Sequence, residues 1–195
     1  MKKILLLSVL LVGFAYSTFA QNYYDEPSPK ISAGFGFGAA VGPYSGAYPA
    51  AGSLNVKFEY PISDSKVNII FTTGYTFYVS SNGYLTGVYY DDYGSESYSS
   101  GSLVSFIPIE TGIKAFVYNR IFVEGDVGAS FNINSSSSDY TNKKVALIYS
   151  PSAGYSIPFG STKFGVDLSL GYENRLETGG GYSQIAFKAA FNFSL

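Results

Sequence analysis

The chain alternates between apolar and polar positions with a period of two. In residues 163–173, Phe164, Val166, Leu168, Leu170 and Tyr172 share one face. Gly165, Asp167, Ser169, Gly171 and Glu173 share the other. Such alternation predicts a β-strand with one apolar and one polar side. The last segment, 185–195, repeats the pattern. It sets Ile185, Phe187, Ala189, Phe191, Phe193 and Leu195 against Ala186, Lys188, Ala190, Asn192 and Ser194. Residues 121–133 set Ile121, Val123, Val127, Ala129, Phe131 and Ile133 against Glu124, Asp126, Gly128, Ser130 and Asn132. Phe122 is the one apolar side chain on that polar face. Segments 31–41, 53–62, 67–79, 103–117 and 145–157 follow the same rule less cleanly. Eight strands and no helix are predicted.

The connections alternate as well. Short turns stand at 63–66, 118–120 and 159–162, and longer polar links at 42–52, 80–102, 134–144 and 174–181. Short turns at one end and long loops at the other mark an up-and-down barrel in an outer membrane. The predicted fold class is therefore all-β: an eight-stranded antiparallel up-and-down transmembrane β-barrel spanning residues 30–195. Pro108 and Pro151 fall inside predicted strands. Proline cannot donate to a ladder, so bulges, or strand ends reaching above the bilayer, are expected there. Pro61 and Pro158 border short turns.

Alternation leaves open which face points inward. A soluble lipocalin-type barrel would turn its apolar face in. Here Gly, Ser and the charges share a face, which suits a narrow interior. The strands are long enough to cross a bilayer at a tilt. Tyr60, Tyr75, Phe77, Tyr149, Tyr155 and Tyr172 stand near strand ends, as an interfacial belt would. The inward face then carries Lys57, Glu59, Glu110, Lys114, Glu124, Asp126, Asp167 and Lys188. Buried charges need partners. Setting Val117 opposite Ile121 places Lys114 across from Glu124 and Gly112 across from Asp126. A looser register places Asp167 near Lys188.

Composition narrows the chemistry. The chain of 195 residues is 13% charged and contains no His and no Cys. His-dependent triads, thiol nucleophiles, the usual zinc sites and disulfides are excluded. Twelve Lys and Arg give no basic face for nucleic acid. Glu124 and Asp126 lie two apart on one strand face and are expected to pair with Lys rather than do acid–base work. The runs 34–38 and 179–181 are glycine-rich, but neither leads from a strand into a helix, so neither is a phosphate loop. No cofactor, no metal and no enzymatic activity are expected.

The N-terminus has Lys2 and Lys3, an apolar run over 4–12, and Ser17-Thr18-Phe19-Ala20 before Gln21. This is the pattern of an export signal over residues 1–20. Its removal takes away two lysines and leaves a formal charge of −4. Residues 21–29 would be a short periplasmic segment.

The exported N-terminus, the eight amphipathic strands and the ending Phe191-Asn192-Phe193-Ser194-Leu195 resemble the small outer-membrane β-barrel proteins of Gram-negative bacteria. These include the OmpX type and the membrane domain of the OmpA type. The resemblance covers the mature chain and rests on pattern rather than a motif. It implies an outer-membrane location and recognition of the last strand by the barrel-assembly machinery. In the family that strand usually ends on an aromatic residue, whereas here it ends on Leu195. The expected partners are outer-membrane lipid and lipopolysaccharide, with the chain a monomer.

An eight-stranded barrel is just wide enough for its own side chains. The expected role is therefore structural, or one of surface interaction through the outer loops. The richest loop is 80–102, where Tyr84, Tyr89, Tyr90, Tyr93 and Tyr98 stand among Ser and Gly. That mixture resembles a recognition surface of rigid aromatics and adaptable polar neighbours. Asp91, Asp92 and Glu96 in the same loop fit no calcium-loop spacing. Two alternatives stand beside this reading: a soluble exported lipocalin-like binding barrel, and a narrow cation-selective channel.

Overall fold

The structure, a computed structural model, describes residues 28–62, 65–81, 103–134, 143–160, 162–177 and 180–195, and the backbone of 88–90 and 96–98. Ten strands follow in chain order: β1 Lys30–Val41, β2 Ala50–Pro61, β3 Val67–Val79, β4 Val88–Tyr90, β5 Glu96–Tyr98, β6 Leu103–Tyr118, β7 Ile121–Asn132, β8 Val145–Pro158, β9 Phe164–Glu177 and β10 Gly180–Ser194. Eight of them close a barrel in the order β1-β10-β9-β8-β7-β6-β3-β2, with every neighbour antiparallel. The remaining pair, β4 and β5, forms a small hairpin of its own between β3 and β6.

Closure leaves the barrel without an edge strand, so each of its strands has a ladder partner on both sides. The faces then separate by residue type. Phe37, Leu54, Ile109, Ile113, Leu170 and Phe187 stand exposed on the outer wall, with Phe37 at 66% and Leu54 at 60%. Glu59, Glu110, Lys114, Asp126, Asp167 and Glu173 are buried in the lumen. This is the reverse of a water-soluble globule, where exposed apolar patches are small.

Four details differ from the expectations set by sequence. The last long link is absent, because β9 and β10 stay paired up to Glu177 opposite Gly180. Asn174–Glu177 therefore continue the strand, and Gly180 and Gly181 belong to β10. Neither Pro108 nor Pro151 makes a bulge. Between β3 and β6 the pairing lapses after Thr73 opposite Ile109 and resumes at Thr76 opposite Phe106 with the register kept. Thr73 Oγ1 donates to the Pro108 carbonyl at 2.9 Å within that gap. The β8–β9 ladder lapses in the same way around Pro151. A missing N–H removes one ladder bond without changing the residue count, so the register survives. The observed irregularity lies instead at Val117, and it makes Tyr118, not Val117, the partner of Ile121. Asn119 closes this turn at φ +43°, a left-handed value that asparagine tolerates.

Glycine sets how closely two of these strands approach. A Cβ on Gly128 would lie 2.0 Å from the Ile109 carbonyl oxygen and 2.7 Å from the Glu110 Cα. A Cβ on Gly125 would meet nothing within 4 Å. Gly128→Ala is expected to lower stability by about 1–3 kcal/mol through overpacking against backbone. Gly125→Ala is expected to stay within about 0.5 kcal/mol of the parent, as open-surface substitutions do. Urea unfolding of both variants in lipid or detergent, followed by gel mobility, checks the contrast.

Candidate functional site

The lumen is built around Lys114. Its strand alternates, so the side chain on the inward face has no route to solvent and is 1% exposed. Its Nζ donates to Glu59 Oε1 at 2.9 Å, Glu59 Oε2 at 3.1 Å and Asp167 Oδ2 at 2.5 Å. The ring of Phe122 lies 4.3 Å from the same nitrogen. Phe122, the apolar misfit on a polar face, is thus a cation–π partner. Asn68 Nδ2 donates to Glu59 at 3.2 Å and Asn192 Nδ2 to Asp167 at 3.0 Å, so both acids have further partners.

Two smaller ion pairs lie beside this centre. Lys57 is paired with Glu124. Lys188 reaches Glu173 at 3.2 Å, and Gln184 donates to the other oxygen of Glu173 at 3.0 Å. Glu110 accepts from Ser150 Oγ at 2.8 Å. Neither Glu110 nor Asp126 forms an ion pair among the described residues. A cavity of about 40 Å³ remains among Lys57, Glu110, Glu124, Asp126, Asp167 and Lys188. That is room for a water molecule, not a path for solutes.

Partner choice differs from the sequence reading. Lys114 does stand opposite Glu124, and Gly112 opposite Asp126, in the β6–β7 ladder. The Lys114 ammonium nonetheless crosses the lumen to Glu59 and Asp167, while Glu124 is taken by Lys57. Asp167 is not held by Lys188, whose ladder partner is Ser169. In so narrow a tube a long side chain reaches the far wall as easily as its ladder neighbour. Sequence reasoning also left Glu173, Arg175 and Glu177 out of the network. Their signal was parity: all three continue the inward face once β9 is extended to residue 177.

The loop end is closed by aromatic side chains. Tyr48, Tyr78, Phe106, Val104, Ala51 and Tyr182 form a buried cluster, with Tyr48 at 2% exposure. Tyr182 is central: its ring lies 4.8 Å from Tyr44, 5.1 Å from Tyr78, 5.2 Å from Phe106 and 5.8 Å from Tyr48. The segment that carries Tyr44 and Tyr48 turns back over the mouth, held by Tyr48 N–H donating to the Tyr44 carbonyl at 2.9 Å and Ser81 N–H to the Ala47 carbonyl at 2.7 Å. Beside the cluster the Arg175 guanidinium sits 4.4 Å from the Phe106 ring and donates to the Lys143 carbonyl at 2.9 Å. It also pairs with Glu177. Arg175 thereby fastens the base of the 133–144 loop to β9.

The loop candidates are less fully placed. Tyr89, Tyr90, Glu96 and Tyr98 lie on the backbone of the β4–β5 hairpin, with Tyr90 opposite Glu96 and Val88 opposite Tyr98. Tyr84, Asp91, Asp92 and Tyr93 lie outside the described residues. Among the described residues no three acidic side chains are grouped to hold a metal ion.

Removing the Lys114 charge leaves two buried carboxylates without their cation. Lys114→Met is expected to cost about 3–5 kcal/mol, the usual penalty for breaking a buried ion pair. Lys57→Met is expected to cost less, since that side chain is 15% exposed. Combining Lys114→Met with Glu59→Gln and Asp167→Asn is expected to recover part of the loss. Unfolding midpoints of the four proteins in lipid check the order.

No protein-family model matches the sequence, and no curated protein sequence matches it. Solved structures do. The crystal structure of Ail, the attachment invasion locus protein of Yersinia pestis, is 13% identical with a TM-score of 0.52, and the match covers 87% of this chain and 100% of that one. The outer-membrane protein OprG of Pseudomonas aeruginosa is 7% identical with a TM-score of 0.51, covering 87% and 97%. Ail in a phospholipid bilayer nanodisc is 16% identical with a TM-score of 0.50, covering 86% and 100%. At these identities the likeness is one of fold: the chain folds as an eight-stranded barrel similar to those of small outer-membrane proteins.

Proposed function

We propose that this chain is a non-enzymatic outer-membrane protein of a Gram-negative bacterium, with a sealed lumen and a working surface in its long loops. The observation that carries the reading is the inverted polarity of the barrel. Charges and amides fill the inside, while Phe, Leu, Ile and Val stand exposed around the outside. An Arg or Lys on a lipid-facing wall costs roughly 2–4 kcal/mol at the bilayer midplane. The lysines of the mid-barrel, Lys57, Lys114 and Lys188, all turn inward. A soluble lipocalin-like barrel needs the opposite arrangement, with an apolar lumen to receive its ligand.

Transport finds little support. The loop end is packed with Tyr48, Tyr78, Phe106 and Tyr182, and ion pairs cross the lumen below it. What remains for function is the loop end. The segment 80–102 joins β3 to β6 at that end, includes the separate β4–β5 pair and carries the tyrosines, Asp91, Asp92 and Glu96 in its sequence. Such a surface suits contact with lipopolysaccharide or another cell-surface partner. Among proteins of similar fold, Ail is an attachment invasion locus protein, and one crystal structure of it holds a heparin analogue, sucrose octasulfate.

Two outcomes are expected. The purified protein should run faster on a gel unheated than heated, and should be silent in planar bilayers; a single mobility in the soluble periplasmic extract, or steady cation current, would count against this reading. Deleting 88–98 should abolish attachment to cells or to surface glycolipid while leaving the heat shift intact. Unchanged attachment would remove the loop from the proposal.

A further inference from the structure

The two ends of the barrel differ in charge as well as in loop length. At the loop end, segment 80–102 contains Asp91, Asp92 and Glu96 and no Lys or Arg, segment 42–49 contains no charge, and segment 133–144 contains Asp139 with Lys143 and Lys144. The turn end carries Lys30, Lys66, Arg120 and Lys163; the acids of the adjoining segments are Asp64, and Asp25 and Glu26 in the chain before β1, and all three lie outside the described residues. The four cations occupy equivalent places. Lys30 opens β1, and Lys66, Arg120 and Lys163 immediately precede β3, β7 and β9. Those are the four strands that run from the turn end to the loop end, so a cation stands at the foot of each.

The backbone holds these places firmly. The Lys66 carbonyl accepts from Phe116 N–H at 2.9 Å, the Arg120 carbonyl from Ser156 N–H at 2.9 Å and the Lys163 carbonyl from Ser194 N–H at 2.8 Å. Lys30 is in the ladder on both sides, opposite Ser194 and Glu59. Each cation is therefore fixed by the next strand round the ring, at the last rung of the wall. Among the described residues none of the four forms an ion pair.

Directly above them on the outer wall is a band of exposed aromatic residues: Tyr60, Tyr118, Phe159 and Phe164, with Phe191 stacked on Phe164 and Phe193 tilted against it. Aromatic residues of this kind mark the membrane–water boundary. Strand parity puts the four cations on the lumen side of the rim, and a side chain of this length can clear the edge. Lys163 does so: its Nζ lies 6.0 Å from the centroid of the Phe193 ring, on the outside. A long cationic side chain laid along an interfacial aromatic ring places its charge at headgroup level.

We propose that the turn end of the barrel holds anionic phospholipid headgroups through a ring of four cations, Lys30, Lys66, Arg120 and Lys163. The ligand class is a lipid phosphate carrying net negative charge, as in phosphatidylglycerol, in the leaflet that the turn end faces. The proposal rests on the membrane reading above. It adds an orienting device, since the acidic loop segment would be repelled from the same lipid and the basic rim drawn to it.

The test uses the full-length protein inserted into phosphatidylcholine vesicles that contain a minor fraction of phosphatidylglycerol. Spin-labelled phosphatidylglycerol and spin-labelled phosphatidylcholine report the lipid held at the protein surface. The wild type is expected to prefer phosphatidylglycerol by about fivefold, the ratio that one well-placed cation near an anionic surface supplies. The preference should shrink as added salt shortens the Debye length. K30Q/K66Q/R120Q/K163Q should lose it, and K143Q/K144Q, at the loop end, should keep it. An inserted wild type without preference, a quadruple variant that retains it, or equal loss in K143Q/K144Q would overturn the proposal. Single variants K163Q and R120Q, each with a partial loss, cover the case in which the quadruple variant does not fold. Heat-shifted mobility, recorded on every sample, separates the two readings: a wild type that never inserts overturns the membrane reading and this proposal together, whereas insertion without preference overturns this one alone.

Discussion

Everything in this molecule depends on neutralising charge inside a tube that has no room for bulk water. Lys114 is the point where that constraint is sharpest. A buried ammonium is costly unless its protons meet acceptors, and this one meets Glu59, Asp167 and the face of Phe122. The acids in turn draw on Asn68 and Asn192. Five strands, β2, β3, β6, β9 and β10, therefore contribute to a single polar knot. Such a knot ties opposite walls together in a way that ladder hydrogen bonds, which join only neighbours, cannot.

The polar lumen explains the outer wall. If the charges turn inward, a strand with a period of two must turn its Phe, Leu, Ile and Val outward, where water would be a poor solvent for them. The low charge content and the many aromatic residues are two views of the same requirement. Half of each strand is spent on an apolar surround, and the ends of that surround need rings that tolerate both lipid and water.

The ends of the barrel do different work. At the loop end, packing dominates: Tyr182 gathers Tyr44, Tyr48, Tyr78 and Phe106, and Arg175 ties the neighbouring loop base to the wall. This packing fills the mouth of the lumen. At the turn end the carbonyls of Lys66, Arg120 and Lys163 are each bonded to the next strand, which fixes where these charged residues stand.

Much of this was legible from the amino-acid order, because strand faces are a local property. A period of two assigns every residue to one wall or the other, so the segment around Phe164 to Tyr172 declared its outer face and Asp167 its inner one. The facing of Lys114 and Glu124 across the β6–β7 turn was legible for the same reason, even though the turn itself holds an extra residue at Val117. Partner choice was not legible. Whether Lys114 bonds to Glu124 beside it or to Glu59 and Asp167 across the lumen depends on the diameter and tilt of the closed barrel, which no segment contains by itself. The aromatic seal was hidden for a related reason: Tyr48, Tyr78, Phe106 and Tyr182 come from four separate stretches, and only closure brings their rings together. The continuation of β9 through Arg175 to Glu177 was masked by polar residues that look like a loop in one dimension and line a lumen in three. Sequence thus determined the strands and their faces, and tertiary structure decided which charges meet, because meeting across a tube is a matter of its geometry.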